Sequence, residues 1–370
     1  MATINDRLQS ESIAHRLFLT RYELGVADKV LKVLNDADAE LSARLLVALD
    51  DMPRGSFSIS RLESMLGSIR QLNQQAVSSY YKSLTNELLE FSGYESGYQM
   101  SLFDSLLSDI VKSKFPLQAI TEQQIYAAAM AKPFQGRLLK EWSDNLEDDR
   151  LSRIANTVRN GYLVGDTNEQ IIRKVRGTRA NRYKDGTLEA SRRNASAIVR
   201  TAVAHTAAVA RDEFADKNSD YIKGKKWLST LDTSTTSICI IRDSKQYTMD
   251  NKPVGHKIPY GAGPGRIHWC CRSTETLVTK SWREMGIDID EMPAGTRASM
   301  GGQVPADTNY LDWLKNQPVS RQNEVLGPTR ASLMRDGGLS PEKFFTDKGK
   351  YLNIDQLREL DEESFKEAGL

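Results

Sequence analysis

Apolar residues recur at intervals of three and four through the first part of the chain, and polar residues fill the positions between them. Between Val26 and Leu49 this spacing is followed by Val30, Leu31, Val33, Leu34, Leu41, Leu45 and Leu46. The pattern continues from Ser58 to Leu89, after a break at Pro53 and Gly55. Such spacing matches the turn of an α-helix, so the sequence predicts a long helical hairpin. Because no titratable cluster recurs along one face, we expect a docking arm without catalysis.

The helical spacing continues through the middle of the chain, up to about residue 218. The predicted helices are Glu122–Ala131, Leu138–Asn160, Asn168–Val175 and Leu188–Lys217. Asp166 and Thr167 precede the third of these helices. A side-chain oxygen at such a position accepts a hydrogen bond from a free N–H group of the first turn, which indicates a helix start.

After residue 220 the composition changes, and β-branched and aromatic residues replace the helical pattern. Three runs of this type are Tyr221–Leu231, Ile238–Thr248 and Thr274–Thr279. Beyond Met292 the chain is rich in loop-forming residues. Short helices are predicted there at Tyr310–Lys315, Pro328–Met334, Pro341–Phe345 and Ile354–Leu360. We therefore expect an α+β fold that is predominantly α-helical, with a small antiparallel β-sheet closed by a loop-rich C-terminal segment.

These changes divide the chain of 370 residues into three predicted segments. They are a helical arm (1–115), a domain of helices followed by a small sheet (116–290) and a C-terminal cover of loops and short helices (291–370). The formal net charge of +1 gives no overall attraction to nucleic acid, so such contact needs a local patch. No run approaches the roughly 20 apolar residues that cross a bilayer, and no signal peptide is recognisable.

All three cysteines and two of the four histidines fall within one short stretch, from Cys239 to Cys271. Zinc prefers such ligands, so one interpretation is a metal site. Its ligands are Cys239, His256, His268 and Cys271. In the other interpretation, which we favour because paired CxxC elements are missing, Cys239 and either Cys270 or Cys271 are compact core residues. His268 then bonds to a loop carbonyl, and no cofactor is required.

Positive charge is concentrated between Arg173 and Arg200, a stretch in which Asp185 and Glu189 are the acidic residues. The residues predicted to contact DNA are Arg173, Lys174, Arg176, Arg179, Arg182, Lys184, Arg192 and Arg193. Lysine and arginine neutralise phosphates without identifying bases, so we predict sequence-independent DNA binding or docking to an acidic partner. A solvated helix face is the alternative. The run Tyr260–Gly265 is interpreted as a turn, because no Gly-Lys-Ser/Thr follows it.

Several short motifs follow one another in a recognisable order. They are Ala195–Ala204, Lys226–Asp232, Ser237–Cys239, Tyr247 and His268–Arg272. Over residues 120–280 this order resembles the Mu F-like head-morphogenesis domain of phages. The C-terminal runs Tyr310–Gln317 and Gln322–Arg330 are similar to a tail on phage proteins of this type. Trp269 and Ser273 stand where the family has proline and cysteine.

The resemblance implies a minor head protein in the capsid interior or portal region of a virion, present in the host cytoplasm during assembly. Its partners would be the portal protein, capsid or scaffolding proteins and packaged double-stranded DNA, in head morphogenesis and in DNA packaging or delivery. We expect no enzymatic activity. The alternatives are a metal-dependent nuclease that uses His256 and His268, or an ADP-ribosyltransferase-like enzyme, carried in the virion, that uses Gln322 and Glu324.

Overall fold

A computed structural model describes residues 4–51, 59–281, 284–285, 296–300, 302–305, 307–346 and 350–370. Helices dominate, accompanied by one four-stranded and one two-stranded antiparallel sheet. The predicted α+β, mainly helical class is therefore confirmed. The break predicted at Pro53 and Gly55, and the start of the loop-rich segment at Met292, lie outside the described residues.

Two long helices open the chain, and both extend beyond their predicted bounds. The helices up to residue 217 are α1 (Ile4–Asp50), α2 (Ile59–Leu106), α3 (Asp109–Lys114), α4 (Glu122–Ala131), α5 (Leu139–Val164), α6 (Asn168–Arg176) and α7 (Leu188–Lys217). The buried face of α1 continues upstream of Val26 through polar residues such as Ser12, His15 and Glu23. Because these positions are polar, the apolar pattern ended before the helix did.

The helix start predicted at Thr167 is confirmed by a reciprocal pair of hydrogen bonds. Thr167 Oγ1 accepts from the Gln170 backbone N–H at 3.2 Å, and the Gln170 side chain accepts from the Thr167 N–H at 2.7 Å. This capping box satisfies two donors that the first helical turn leaves free. α4 and α7 have their predicted bounds, whereas α5 continues to Val164.

The larger sheet has the order β3-β2-β1-β4 with antiparallel pairing, and it is open. Its strands are β1 (Ile222–Leu228), β2 (Gln246–Thr248), β3 (Pro253–Val254) and β4 (Thr274–Thr279). The strand predicted over Ile238–Thr248 is wrong in its first part, because Ser237–Ile240 forms a helical turn, α8. Ile240 and Ile241 enter one core and Cys239 another, so the run is apolar without being a strand.

The C-terminal part contains short elements around a shared core. They are β5 (Thr296–Ser299), β6 (Gly302–Pro305), α9 (Tyr310–Lys315), α10 (Val319–Leu326), α11 (Pro328–Arg335), a 3₁₀ turn (Pro341–Phe344), α12 (Ile354–Leu360) and α13 (Glu362–Glu367). Tyr310, Trp313 and Phe344 pack there with Leu231 and Ile241, which follow β1 and α8 in the chain. The sequence did not predict the β5–β6 hairpin, α10 or α13.

By spatial proximity the chain forms two compact units, each assembled from separate stretches. The first unit contains residues 1–20, 95–121 and 208–370, and the second contains residues 21–94 and 122–207. The three successive segments drawn from the sequence stay a prediction. Both sheets belong to the first unit, while the second is built from helices around a core of Leu45, Ile69, Ile154 and neighbouring apolar residues.

Candidate metal centre and basic surface

In the first unit, the segment that carries Cys239 is held by the buried carboxylate of Asp243. One oxygen of Asp243 accepts from the Ser229 backbone N–H at 2.6 Å, and the other accepts from that of Tyr310 at 2.8 Å. The Ser229 hydroxyl in turn donates to the carbonyl oxygen of Cys239 at 2.9 Å. These bonds fix α8 to the end of β1 and so orient the Cys239 thiol.

A tight turn brings His268 and Cys271 to the same place. The Cys271 N–H donates to the His268 carbonyl oxygen at 3.2 Å, and Cys270 between them has φ = 53°. This left-handed conformation costs about 1 kcal/mol for a residue other than glycine, so surrounding contacts must hold it.

Cys239, His268 and Cys271, the Cys-His-Cys cluster, have their ligand atoms within 4.8 Å of one another. Cys239 Sγ lies 3.3 Å from His268 Nε2 and 3.7 Å from Cys271 Sγ. Both thiols are buried beside Trp227, Tyr247 and Tyr260. Burial of this kind fits a metal site and also fits the interpretation of the cysteines as core residues.

Hydrogen bonds set the protonation of the Cys-His-Cys cluster. The hydrogen bond from Cys239, helped by that from His268 and opposed by burial, holds the pKa of Cys271 well below its usual range. The same thiol pair and burial raise the pKa of Cys239. Burial lowers the pKa of His268, but its hydrogen bond and charge interaction with Cys271 outweigh this effect and raise it. The cluster therefore favours one thiolate, at Cys271.

An ion pair joins two motifs beside the cluster. Arg272 donates to both carboxylate oxygens of Asp232, to Oδ1 at 2.8 Å and to Oδ2 at 2.5 Å. The Thr230 hydroxyl donates to the Arg272 carbonyl oxygen at 3.0 Å. Such a two-pronged bond fixes orientation as well as distance. The segment after β1 is thereby tied to the turn that carries His268 and Cys271.

His256, also predicted as a metal ligand, is engaged elsewhere. Its Nε2 donates to the Gln246 carbonyl oxygen at 2.9 Å, and its Nδ1 accepts from the Ile258 N–H at 3.2 Å. The ring lies edge-on to Tyr247 at 5.0 Å. Both ring nitrogens therefore serve the backbone beside β2 and β3, away from the other three residues. Sequence proximity grouped His256 with them, but the fold does not.

The second unit carries the basic stretch, and six of its cations are exposed: Lys174, which pairs with Asp166, and five others. The five are Arg173, Arg179, Arg182, Lys184 and Arg193, here called the basic surface. None of the five has an ion-pair partner among the described residues. The other three predicted residues are engaged: Lys174 pairs with Asp166, and Arg176 stacks over the Tyr183 ring at 4.6 Å. Arg192 donates to Asp38, to Glu189 and to the carbonyl oxygen of Tyr183.

The loop that presents three of these cations is ordered by Asp185. Its carboxylate accepts from the Thr178 N–H and hydroxyl, both at 2.7 Å, and from the Asn181 side chain at 2.8 Å. The bond from Asn181, followed by those from Thr178, lowers the pKa of Asp185. A Cβ at Gly186 would lie 2.3 Å from backbone atoms of Arg176, so only glycine permits this close approach.

Beneath the basic surface lies an ion-pair network that sequence reasoning missed. Asp38 binds Arg150 through one carboxylate oxygen and Arg192 through the other, while Asn73 accepts from Arg150 at 2.9 Å. Arg150 and Asp38 are 0% and 1% exposed. One signal was available, because Asp38 falls on the apolar face of α1 between Leu34 and Leu41.

A second buried charge cluster lies in the first unit and holds the glycine-rich run. Asp212 pairs with Lys225 at 2.5 Å and with Arg266 at 2.7 Å, and Arg266 also donates to the Ala262 carbonyl oxygen. Burial raises the pKa of Asp212, but the charges of Arg266 and Lys225 outweigh it and lower the value to about 2. The predicted turn at Tyr260–Gly265 is thus pinned internally.

Comparison with protein-family models, with characterised proteins and with solved structures finds no match to this chain. Among the described helices, none combines the length and apolarity needed to span a bilayer. Gln322, half of the transferase alternative, is buried and donates to the carbonyl oxygens of Lys315 and Gln317 at 3.0 and 2.9 Å. Its amide therefore joins α9 to α10.

Proposed function

We propose that this chain is a phage minor head protein of the Mu F-like type, which associates with the portal and acts in head morphogenesis. The role is structural and needs no active site. Capsid or scaffolding proteins and packaged double-stranded DNA are its further partners, and the virion is its final location.

One observation carries the proposal: three of the motifs whose order produces the resemblance, Lys226–Asp232, Ser237–Cys239 and His268–Arg272, are in contact within the first unit. Arg272, in the closing motif His268–Arg272, binds Asp232 at the end of the motif Lys226–Asp232. His268 of the closing motif touches Cys239, which lies 29 residues earlier. Motifs that recur in a fixed order are expected to contact one another when they form one structural element. These contacts support a shared domain as the basis of the resemblance.

The basic surface supports contact with the packaged genome. Five exposed cations stand close together in sequence on a chain whose formal net charge is only +1. Lysine and arginine side chains gain affinity for DNA by neutralising phosphates and releasing counterions, without identifying a sequence. A protein inside a head meets DNA of every sequence, so this mode of binding suits the proposed location.

Heads assembled with and without the portal protein of the phage that encodes the chain test the proposal. Mass spectrometry of purified heads should find the chain only when the portal is present. Asp232→Asn, which breaks the bond to Arg272, should lower incorporation, whereas the exposed Asp250→Asn should not. Circular dichroism must show that both variants are folded. Equal incorporation without the portal, or absence from both kinds of head, would contradict the proposal.

A further inference from the structure

The Cys-His-Cys cluster has the dimensions of a metal coordination shell. With zinc–sulfur bonds near 2.3 Å and zinc–nitrogen bonds near 2.0 Å, a tetrahedral site places two sulfurs about 3.8 Å apart and sulfur about 3.5 Å from nitrogen. The two sulfurs are 3.7 Å apart here, and Cys239 Sγ is 3.3 Å from His268 Nε2. Two of the three separations thus match one ion's coordination shell, and the third, between His268 Nε2 and Cys271 Sγ, is at most 4.8 Å.

The imidazole is already oriented as a ligand. His268 Nδ1 lies 3.0 Å from the Trp269 carbonyl oxygen, which can only accept a hydrogen bond, so Nδ1 carries the proton of the neutral ring. The lone pair of Nε2 then points toward Cys239. Histidine ligands of metals commonly donate their second N–H to a carbonyl in this way, which fixes the ring and its tautomer.

The donor set favours zinc over other metals. Two thiolates and one imidazole in tetrahedral arrangement suit this ion, while hard cations such as magnesium and calcium prefer oxygen ligands. Two cysteines and one histidine are also fewer protein ligands than the four that hold an iron–sulfur cluster. The exposed Thr236, whose hydroxyl lies 3.0 Å from His268 Nε2, marks the side on which solvent reaches the cluster.

We propose that Cys239, His268 and Cys271 bind one zinc ion, with a solvent molecule on the Thr236 side as fourth ligand. The ion cross-links α8 to the turn at residues 268–271, two segments that lie outside the strands of the sheet. Metal binding therefore stabilises this part of the first unit. The site does not depend on the proposed head function, and its ligands exclude His256.

Metal analysis of the full chain, purified without a polyhistidine tag from zinc-supplemented cells, tests the site. We expect about one zinc per chain in the wild type, as a single three-residue site allows. Cys239→Ser and His268→Ala should lose the metal. Cys270→Ser and His256→Ala are matched controls, since they change the same residue types outside the three ligands, and both should retain it. Zinc retained in Cys239→Ser, or removed equally by the control substitutions, overturns the proposal.

A measurement on the wild type decides the case if the ligand variants fail to fold. Zinc is removed with a chelator, and cobalt(II) is then titrated into the reduced chain. One equivalent should produce the strong visible absorption of tetrahedral cobalt and a near-ultraviolet thiolate charge-transfer band. A chain that carries no zinc and gives neither band overturns the proposal. A disulfide between Cys239 and Cys271 in freshly purified protein does so as well.

Discussion

In the Cys-His-Cys cluster the important side chains come from segments 29 residues apart and are mostly buried, whereas those of the basic surface come from one stretch and are exposed. The Cys-His-Cys cluster forms only when the tertiary structure brings its residues together. The basic surface is already present in the sequence, and the tertiary structure only orients its side chains, through Asp185 and the network of Asp38, Arg150 and Arg192. Convergence of distant residues thus marks the candidate ligand site, and support from beneath marks the candidate contact surface.

The largest effect is expected where the basic surface is supported from beneath. Asp38→Asn should leave the buried Arg150 without its counter-charge and lower the free energy of unfolding by about 3 to 5 kcal/mol. Asp36→Asn is a matched control, because Asp36 is exposed on the same helix two residues earlier. Urea unfolding measures both variants. Equal midpoints would mean that the network contributes nothing to stability.

Acid should weaken the first unit through Asp212. The pKa of Asp212 is lowered to about 2, below its ordinary value near 4, so its contribution is present above pH 4 and disappears as the pH falls through 2. Wild-type stability should drop by about 2 kcal/mol over this range on account of Asp212. Asp212→Asn should lack that part of the decrease, while the exposed Asp220→Asn should keep it. Thermal denaturation at each pH measures the difference.

Removing free cations should weaken DNA binding more than removing a paired one. Replacing Arg179, Arg182 and Lys184 with glutamine should flatten the slope of log affinity against log salt by roughly 0.9 for each phosphate that is no longer neutralised. Lys174→Gln removes the same charge from a side chain already paired with Asp166, so its slope should stay near that of the wild type. Fluorescence anisotropy with two unrelated duplexes measures the slopes. An unchanged slope in the triple variant would mean that these three cations do not touch DNA.

The smallest expected effect tests whether DNA binding depends on the ordered conformation of the loop in addition to its positive charge. Asp185→Ala makes the loop more positive but removes the bonds to Thr178 and Asn181. If the loop must be ordered to present its cations, affinity should fall about threefold, the size expected when a few side chains lose their preorganisation. Net charge alone predicts the opposite sign. Tighter binding by this variant would therefore refute the role assigned to Asp185.

Most helices could be predicted because their signals are local. The spacing of α4 and α7 and the cap at Thr167 depend on residues within one or two turns. The strand predicted at Ile238–Thr248 failed in its first part for a tertiary reason. Ile238 packs in the same core as Cys239, whereas Ile240 packs in another. Consecutive residues of this helical turn are therefore apolar, as they would be in a buried strand.

The sequence predicted which residue types form the candidate site, but it did not predict which of these residues lie close together in space. Clustering of cysteine and histidine identified Cys239, His268 and Cys271, but the same criterion added His256, whose nitrogens bind the backbone. Likewise, charge density identified the basic stretch, but Arg192 turns inward to Asp38, which lies 154 residues earlier. Pairings over such distances leave no trace in local spacing.

Cys270 sits between two cluster residues in a left-handed conformation, and its thiol is half-buried while those of Cys239 and Cys271 are buried. Its side chain thus leaves the turn in a different direction from its neighbours. The chain therefore contains a built-in reference for chemical labelling. A membrane-permeant alkylating reagent should modify Cys270 first, and the delay before the other two thiols react would report occupancy of the cluster inside intact cells, before the protein is purified.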